Sequence, residues 1–403
     1  MRKISKLSLV AAVAVAGFST ANAQPLEEAI KNVEVSGSVV YRYNDSNNDS
    51  KDLVSAGKGS TTNNNYKIGL NLTSKVNDYV KFNSRFLVAN EEGDFAGPLN
   101  TQNAGDDNVD VELSHAYFSL TAIPNTTVNV GKQGLTTPWT VALDSDGNEQ
   151  TGTGALALTT FGQVTAAAGY FNQTNLDDSG DFASVFDGAE DIVVGALIAD
   201  LSPVKLEAWY LDMEDRFDTY SLSASSDFKF DGGKLGLEAR YVSLSLDNKM
   251  ADAIANGKDD NAVSILTVTG NVGIVNAKVA YANTDKDGGI TALDRDSKNA
   301  LLGWSINSLG KTDADYWQAV LGVNILDNLN LSANYGNIQY KVNNNTSDER
   351  EEEEIYAQLT YKMSKNLNTY VRYGTYTKEN KFGGSNDEIN DDLRGRLQVE
   401  YTF

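Results

Sequence analysis

The sequence predicts an all-β chain, a transmembrane antiparallel β-barrel of about eighteen strands. Three observations predict it. The final stretch, Asp392 to Phe403, puts Leu397, Val399, Tyr401 and Phe403 on one side of a strand. Arg394, Arg396, Gln398, Glu400 and Thr402 fall on the other. The connections alternate between short and long along the whole chain. The N-terminus reads as an export signal, which sends the mature chain beyond an inner membrane. A soluble sheet would cover that apolar face with a second layer. A barrel turns it to lipid and keeps the charges in a wet lumen.

Arg2, Lys3 and Lys6 form a basic start, Leu7 to Phe18 an apolar core, and Ala21-Asn22-Ala23 a cleavage site of the A-x-A kind. Residues 1–23 are therefore expected to leave as a signal peptide. No cysteine follows, which excludes a lipoprotein anchor. Residues 24–32 (QPLEEAIKN) predict a short periplasmic helix, with Pro25 early and acids in the first turn. Residues 33–403 show no internal boundary and predict one barrel domain.

Val33 to Tyr43 alternates, with Val35, Val39, Tyr41 and Tyr43 opposite Ser36, Ser38 and Arg42. Tyr66, Ile68, Leu70 and Leu72 alternate with Lys67, Asn71 and Thr73. Val80, Phe82, Phe86 and Val88 alternate with Lys81, Asn83 and Arg85. Leu235, Leu237, Ala239 and Tyr241 oppose Glu238 and Arg240, and Ile355, Ala357, Leu359 and Tyr361 repeat the pattern. Short turns are expected around Asn77, Pro124, Gly162, Pro203, Gly232, Gly273, Asp327 and Lys365. Long polar connections are expected near 44–65, 91–108, 132–154, 172–189, 247–260, 285–313, 342–351 and 379–391, with one short exception at Glu214 to Phe217. A barrel inserted from the periplasm sorts its connections this way; a soluble sandwich has no reason to. The acidic run Glu349 and Glu351 to Glu354 reads as a solvated loop edge.

Formal net charge is −22. That balance repels nucleic acid and favours cations. Without cysteine there is no thiol chemistry, and a single histidine, His115, removes multi-histidine metal sites and histidine relays. Nineteen tyrosines cluster near segment ends, as interface girdles need. No nucleophile elbow, zinc-protease helix or phosphate-cradling loop is present, so an enzyme is not expected.

The third long connection differs from its siblings. It opens with Leu135, Pro138, Trp139, Val141 and Leu143, apolar groups that gain nothing in solvent. Folded into the barrel, such a loop would place Asp144, Asp146 and Glu149 near mid-channel. Arg42, Lys81, Arg85, Arg372, Arg394 and Arg396 would line the wall opposite, giving a transverse field at a constriction. The alternative is an ordinary outside loop with scattered charge.

The start of the mature chain, Ala21 to Lys31 running into Val35-Ser36-Gly37 and Tyr41-Arg42-Tyr43, resembles the Campylobacter-type major outer membrane porins. Gly131-Lys132-Gln133 followed by Leu135 and Trp139 is similar to the opening of that family's constriction loop. The resemblance implies a homotrimeric, eighteen-stranded general diffusion porin of the bacterial outer membrane, cation-preferring, with an internal third loop. The expected partners are outer-membrane lipid and lipopolysaccharide, small hydrophilic solutes and cations, and the barrel-insertion machinery acting on Phe403. A surface adhesin, with the barrel as a mount for long loops, is the alternative.

A second motif stands apart. Asn283 to Asp294 has the spacing of a twelve-residue calcium loop: oxygens at Asn283, Asp285 and Asp287, a turn at Gly288, the Gly289 carbonyl, and Asp294 at the twelfth place. Asn283 replaces the usual Asp, and Asp294 is shorter than the usual Glu. The two readings are a structural Ca²⁺ loop and a plain Asp-Gly turn. No cofactor is otherwise expected.

Overall fold

The computed structural model describes residues 33–48, 59–89, 110–144, 147–255, 257–342, 348–382 and 385–403. The expected signal peptide (1–23) and helix (24–32) lie outside the described residues. The first six strands are β1 (Glu34–Asn48), β2 (Gly59–Lys75), β3 (Val80–Ala89), β4 (Asp110–Leu120), β5 (Thr126–Gly134) and β6 (Thr151–Phe161). The next six are β7 (Val164–Thr174), β8 (Ile192–Asp200), β9 (Val204–Met213), β10 (Phe217–Phe230), β11 (Gly233–Leu246) and β12 (Asp260–Val272). The last six are β13 (Val275–Thr284), β14 (Thr312–Leu326), β15 (Leu329–Lys341), β16 (Asp348–Lys362), β17 (Leu367–Phe382) and β18 (Ser385–Thr402). One short helix, α1 (Asn248–Ile254), sits between β11 and β12.

Every strand pairs antiparallel with its chain neighbours, and β1 also pairs with β18, so the eighteen-stranded sheet closes. Closure satisfies every edge that lipid would otherwise face. The seam runs in register from Ser38 opposite Thr402 to Asn48 opposite Asp392. It ends in two main-chain bonds between Gly37 and Phe403, at 2.9 and 3.1 Å. A Cβ on Gly37 would overlap the Gly69 carbonyl oxygen and lie 2.9 Å from the Phe403 ring, so the glycine makes room for both. The rings of Tyr401 and Phe403 stack outside, with centroids 5.8 Å apart.

Alternation places the apolar side chains outward. Leu197, Leu266, Leu321 and Val371 are exposed on that face, with Tyr210, Tyr220, Tyr241, Tyr373 and Tyr401 among them. The opposite face turns inward. On the short-turn side of the lumen it forms a polar chain: Thr73 to Asn83 (3.0 Å), Asn83 to Ser119 (3.0 Å) and Ser119 to Asn129 (2.8 Å).

The strands reach further toward the long-loop end than alternation predicts. β1 continues to Asn48 and β2 begins at Gly59, where 44–65 reads as loop. β17 runs to Phe382 and β18 begins at Ser385, so most of the expected 379–391 loop belongs to strands. Glu351 to Glu354 belong to β16 and are not a loop edge. Above the lipid band both faces of a strand are wet, so the apolar alternation vanishes while the ladder continues. Polar cross-strand pairs hold it there, among them Lys381 with Glu351, Lys341 with Glu349, and Arg350 with Asn380 (2.8 Å).

Candidate pore constriction

Three adjacent strands build a basic wall. On β1, Arg42 is buried and donates to Gln398 Oε1 of β18 at 2.9 and 2.6 Å. On β18, Arg396 donates to Asn44 Oδ1 at 2.7 Å and stands in register opposite Arg372 of β17. Arg372 donates to Gln358 at 2.8 Å and lies 5.1, 5.1 and 4.9 Å from the ring centres of Trp304, Tyr356 and Tyr370. Arg394 pairs with Asp392 and donates to Ser305 Oγ at 2.6 Å. These four residues form one patch because period two keeps them on the same face of neighbouring strands.

The other two predicted wall residues are elsewhere. Lys81 is exposed, four residues closer than Arg85 to the short-turn end, or about 13 Å along the strand. Arg85 grips Glu149 in a two-pronged salt bridge, Nε to Oε2 at 2.8 Å and NH2 to Oε1 at 2.6 Å, with both side chains buried. Arg85 and Glu149 are thus partners, not charges facing each other across water. A Cβ on Gly69 would strike the Arg85 guanidinium, so that glycine clears its path. His115 is buried directly opposite Arg85 on β4.

Numbered in chain order along the long-loop end, loop 3 is 135–150, loop 4 is 175–191 and loop 7 is 285–311. Loop 3 crosses the lumen. At its β3 side it is held by Glu149, which also accepts from Ser114 at 3.0 Å, and by Lys67, which donates to the Gly147 carbonyl at 2.6 Å. At its far side Trp139 is fully buried, and its indole N–H donates to Thr219 of β10 at 3.0 Å. Leu135 and Trp139 pack with Phe171, Val194, Leu211 and Leu244 of the wall and Leu293 of loop 7. Burying each such side chain contributes roughly 1.5–3 kcal/mol.

Loop 7 also folds inward, which the sequence reading did not anticipate. Leu293 N–H donates to the Trp139 carbonyl at 2.9 Å and Asn299 N–H to the Pro138 carbonyl at 3.1 Å, so the two loops meet backbone to backbone. Their junction is acidic. Asp144 is buried beside Asp294 and Asp296. Burial pushes Asp294 and Asp296 up to about 6, and the neighbouring Asp144 carboxylate adds to both shifts. Asp181 of loop 4 binds the Arg295 guanidinium (Nε to Oδ1, 2.8 Å) and raises its already high pKa. Arg42 stands within electrostatic reach of Asp144 as well as of Arg396. Asp144 of the joined loops therefore stands near the β1 part of the basic wall. Asp146 lies outside the described residues.

The five residues of the calcium-loop spacing have protein partners or neighbours of their own. Asn283 donates to the Ala314 carbonyl at 3.2 Å and to Asp315 at 3.1 Å. Asp285 accepts from the Asp287 N–H at 2.8 Å, and Asp287 pairs with Lys258 at 3.0 Å. The Gly289 carbonyl accepts from Gly310 N–H at 2.9 Å, and Asp294 belongs to the acidic junction. Among the described residues no group of three or more His, Cys, Asp or Glu side chains is placed to hold a metal ion.

Asp294, Asp296, Trp304 and Glu354 are the site residues that sequence reasoning missed in this role. The signal was present. Loop 7 carries Ile290, Leu293, Leu301, Trp304, Ile306 and Leu309, the same apolar excess that marks loop 3.

A closed barrel of this size, apolar outside and charged within, is the architecture of an outer-membrane β-barrel protein. The chain belongs to the family described as Campylobacter major outer membrane protein, whose pattern matches residues 1–403. Its fold is that of solved outer-membrane barrels. Pseudomonas aeruginosa OpdL superposes with a TM-score of 0.71 at 15% identity, covering 93% of this chain and 99% of that one. Acinetobacter baumannii OccAB1 gives 0.70 at 17%, covering 92% and 96%. Pseudomonas aeruginosa OccK8 (OprE) gives 0.68 at 16%, covering 93% and 98%. No curated protein matches the chain.

Proposed function

We propose that the protein is a porin, a water-filled channel through which small hydrophilic solutes and ions diffuse, with a preference for cations. The observation that carries this is the charge arrangement inside the barrel: Asp144 of loop 3, with Asp294 and Asp296 of loop 7 beside it, lies within electrostatic reach of Arg42, which stands with Arg396 and Arg372 on the basic wall. Arg42 and Arg372 are hydrogen-bonded to Gln398 and Gln358, and Arg394 and Arg85 are paired with Asp392 and Glu149. The basic side is thereby partly spent, while the acidic side adds to a chain charge of −22. Family membership and the barrel fold support a channel over a catalyst.

In this reading the protein is exported by a cleaved signal peptide (1–23), inserted by machinery that recognises the strand ending in Phe403, and assembled as a homotrimer. Lipopolysaccharide would meet its outer girdle. Planar-bilayer recording across a salt gradient tests the central point. The expected reversal potential has the sign of cation preference, and one of anion sign would overturn it. A sealed barrel, as in an adhesin, would show no single-channel steps.

A further inference from the structure

The acidic run on β16 is not idle. Glu354 is buried, and its two carboxylate oxygens accept from the tip of loop 7: Trp304 N–H at 2.9 Å and Ser305 N–H at 2.7 Å. A Cβ on Gly303 would overlap this carboxylate, so the chain approaches it as closely as glycine allows. Ser305 Oγ is held from the other side by Arg394 at 2.6 Å. Docked in this way, the Trp304 indole stands over the Arg372 guanidinium, edge-on to Tyr356 with ring centres 5.2 Å apart. Arg372 is therefore enclosed by three rings and one neutral amide.

We propose that Glu354 and Trp304 determine ion preference: Glu354 clamps the tip of loop 7 to the wall, and Trp304, held there, covers the Arg372 part of the basic wall. This rests on the channel reading above. An uncovered guanidinium attracts anions into the lumen, whereas one enclosed by aromatic faces offers them less surface. Only part of the basic wall is treated this way. Arg396 has Trp304 at 5.9 Å and a single amide partner, so it keeps facing the lumen.

Trp304→Ala changes no charge, which makes it the decisive variant. We expect its cation-to-anion permeability ratio to fall about twofold, with Trp304→Phe close to wild type. In an Arg372→Gln background the same Trp304→Ala change is expected to have no further effect. A wild-type ratio in Trp304→Ala, or an undiminished effect without Arg372, overturns the covering role. The clamp is read separately by amide exchange on full-length protein in detergent micelles. Trp304 and Ser305 amides are expected to be protected in the wild type and to exchange at least about tenfold faster in Glu354→Ala, while the β-strand amides stay unchanged. Equal exchange in both overturns the clamp. Should the wild type carry no current, the channel reading fails and the exchange result still decides the clamp.

Discussion

The two sides of the lumen are built on opposite principles. Toward the long-loop ends of β7 to β15 the inner face carries an apolar cluster: Phe171, Ile192, Val194, Leu211, Leu244, Val263 and Ile338 are buried under loops 3 and 7 and helix α1. From β16 through β18 to β3 the inner face is charged or amide-rich, with Arg42, Arg85, Gln358, Arg372, Arg396 and Gln398. One side behaves like the core of a soluble protein, and its filling comes from the loops. The other side is polar, and its charges are held by hydrogen bonds and ion pairs. An eighteen-stranded barrel encloses more space than a channel for small solutes needs. Filling one side narrows the opening and presses the loop carboxylates toward the charged side.

Changes on the filled side are expected to have the largest effect. Trp139→Ala removes a fully buried indole and its bond to Thr219. It is expected to destabilise the fold by about 3–5 kcal/mol, visible as a lower unfolding temperature in detergent, and to raise single-channel conductance. A stable, unaltered channel would show that the filled side is not held by loop 3. Glu149→Gln comes next. It leaves Arg85 buried without its charge partner, at a cost of about 3 kcal/mol, and pairing it with Arg85→Met is expected to restore much of the loss.

On the polar side the effects move to selectivity. Asp144→Asn together with Asp294→Asn is expected to lower the cation-to-anion permeability ratio about threefold with the fold intact. No change would separate the acidic junction from the ion path. Titration gives a related test without mutation. Asp294 and Asp296 carry charge above their raised values near 6 and lose it below. Cation preference is therefore expected to fall between pH 7 and pH 5, above the range near 4 where ordinary carboxylates titrate. Lys81→Ala, far from the narrowing, is expected to leave the reversal potential within error of wild type.

Alternation made the membrane-embedded part legible, because lipid and water impose period two on each strand. The closing pair β1 and β18 follows from it directly. The tall ends of β1, β2, β16, β17 and β18 were not legible, since water on both sides removes the contrast that alternation depends on. Within the site, Trp139 and the apolar start of loop 3 are the sequence signal of a segment that packs against the inner wall. The same signal from Leu293 to Leu309 was masked by the Asp-Gly spacing at its start, which reads as a cation loop. Arg85 and Glu149 were both identifiable as lumen groups. Their direct pairing depends on the path of loop 3, and no local pattern in the chain encodes that. Glu354 shows the limit most clearly: five acids in six positions look like surface, yet period two sends Glu352 and Glu354 inward and Glu351 and Glu353 to the other face.

The seam between loops 3 and 7 is made of main-chain bonds, Trp139 with Leu293 and Pro138 with Asn299. Peptide groups are common to all residues, so these bonds do not depend on the side chains that the junction turns away from its buried apolar cluster. The ring around the opening can change its chemistry one residue at a time without losing its shape. Evolution, or a designer of sensing pores, can retune such a channel by editing letters on an unchanged frame.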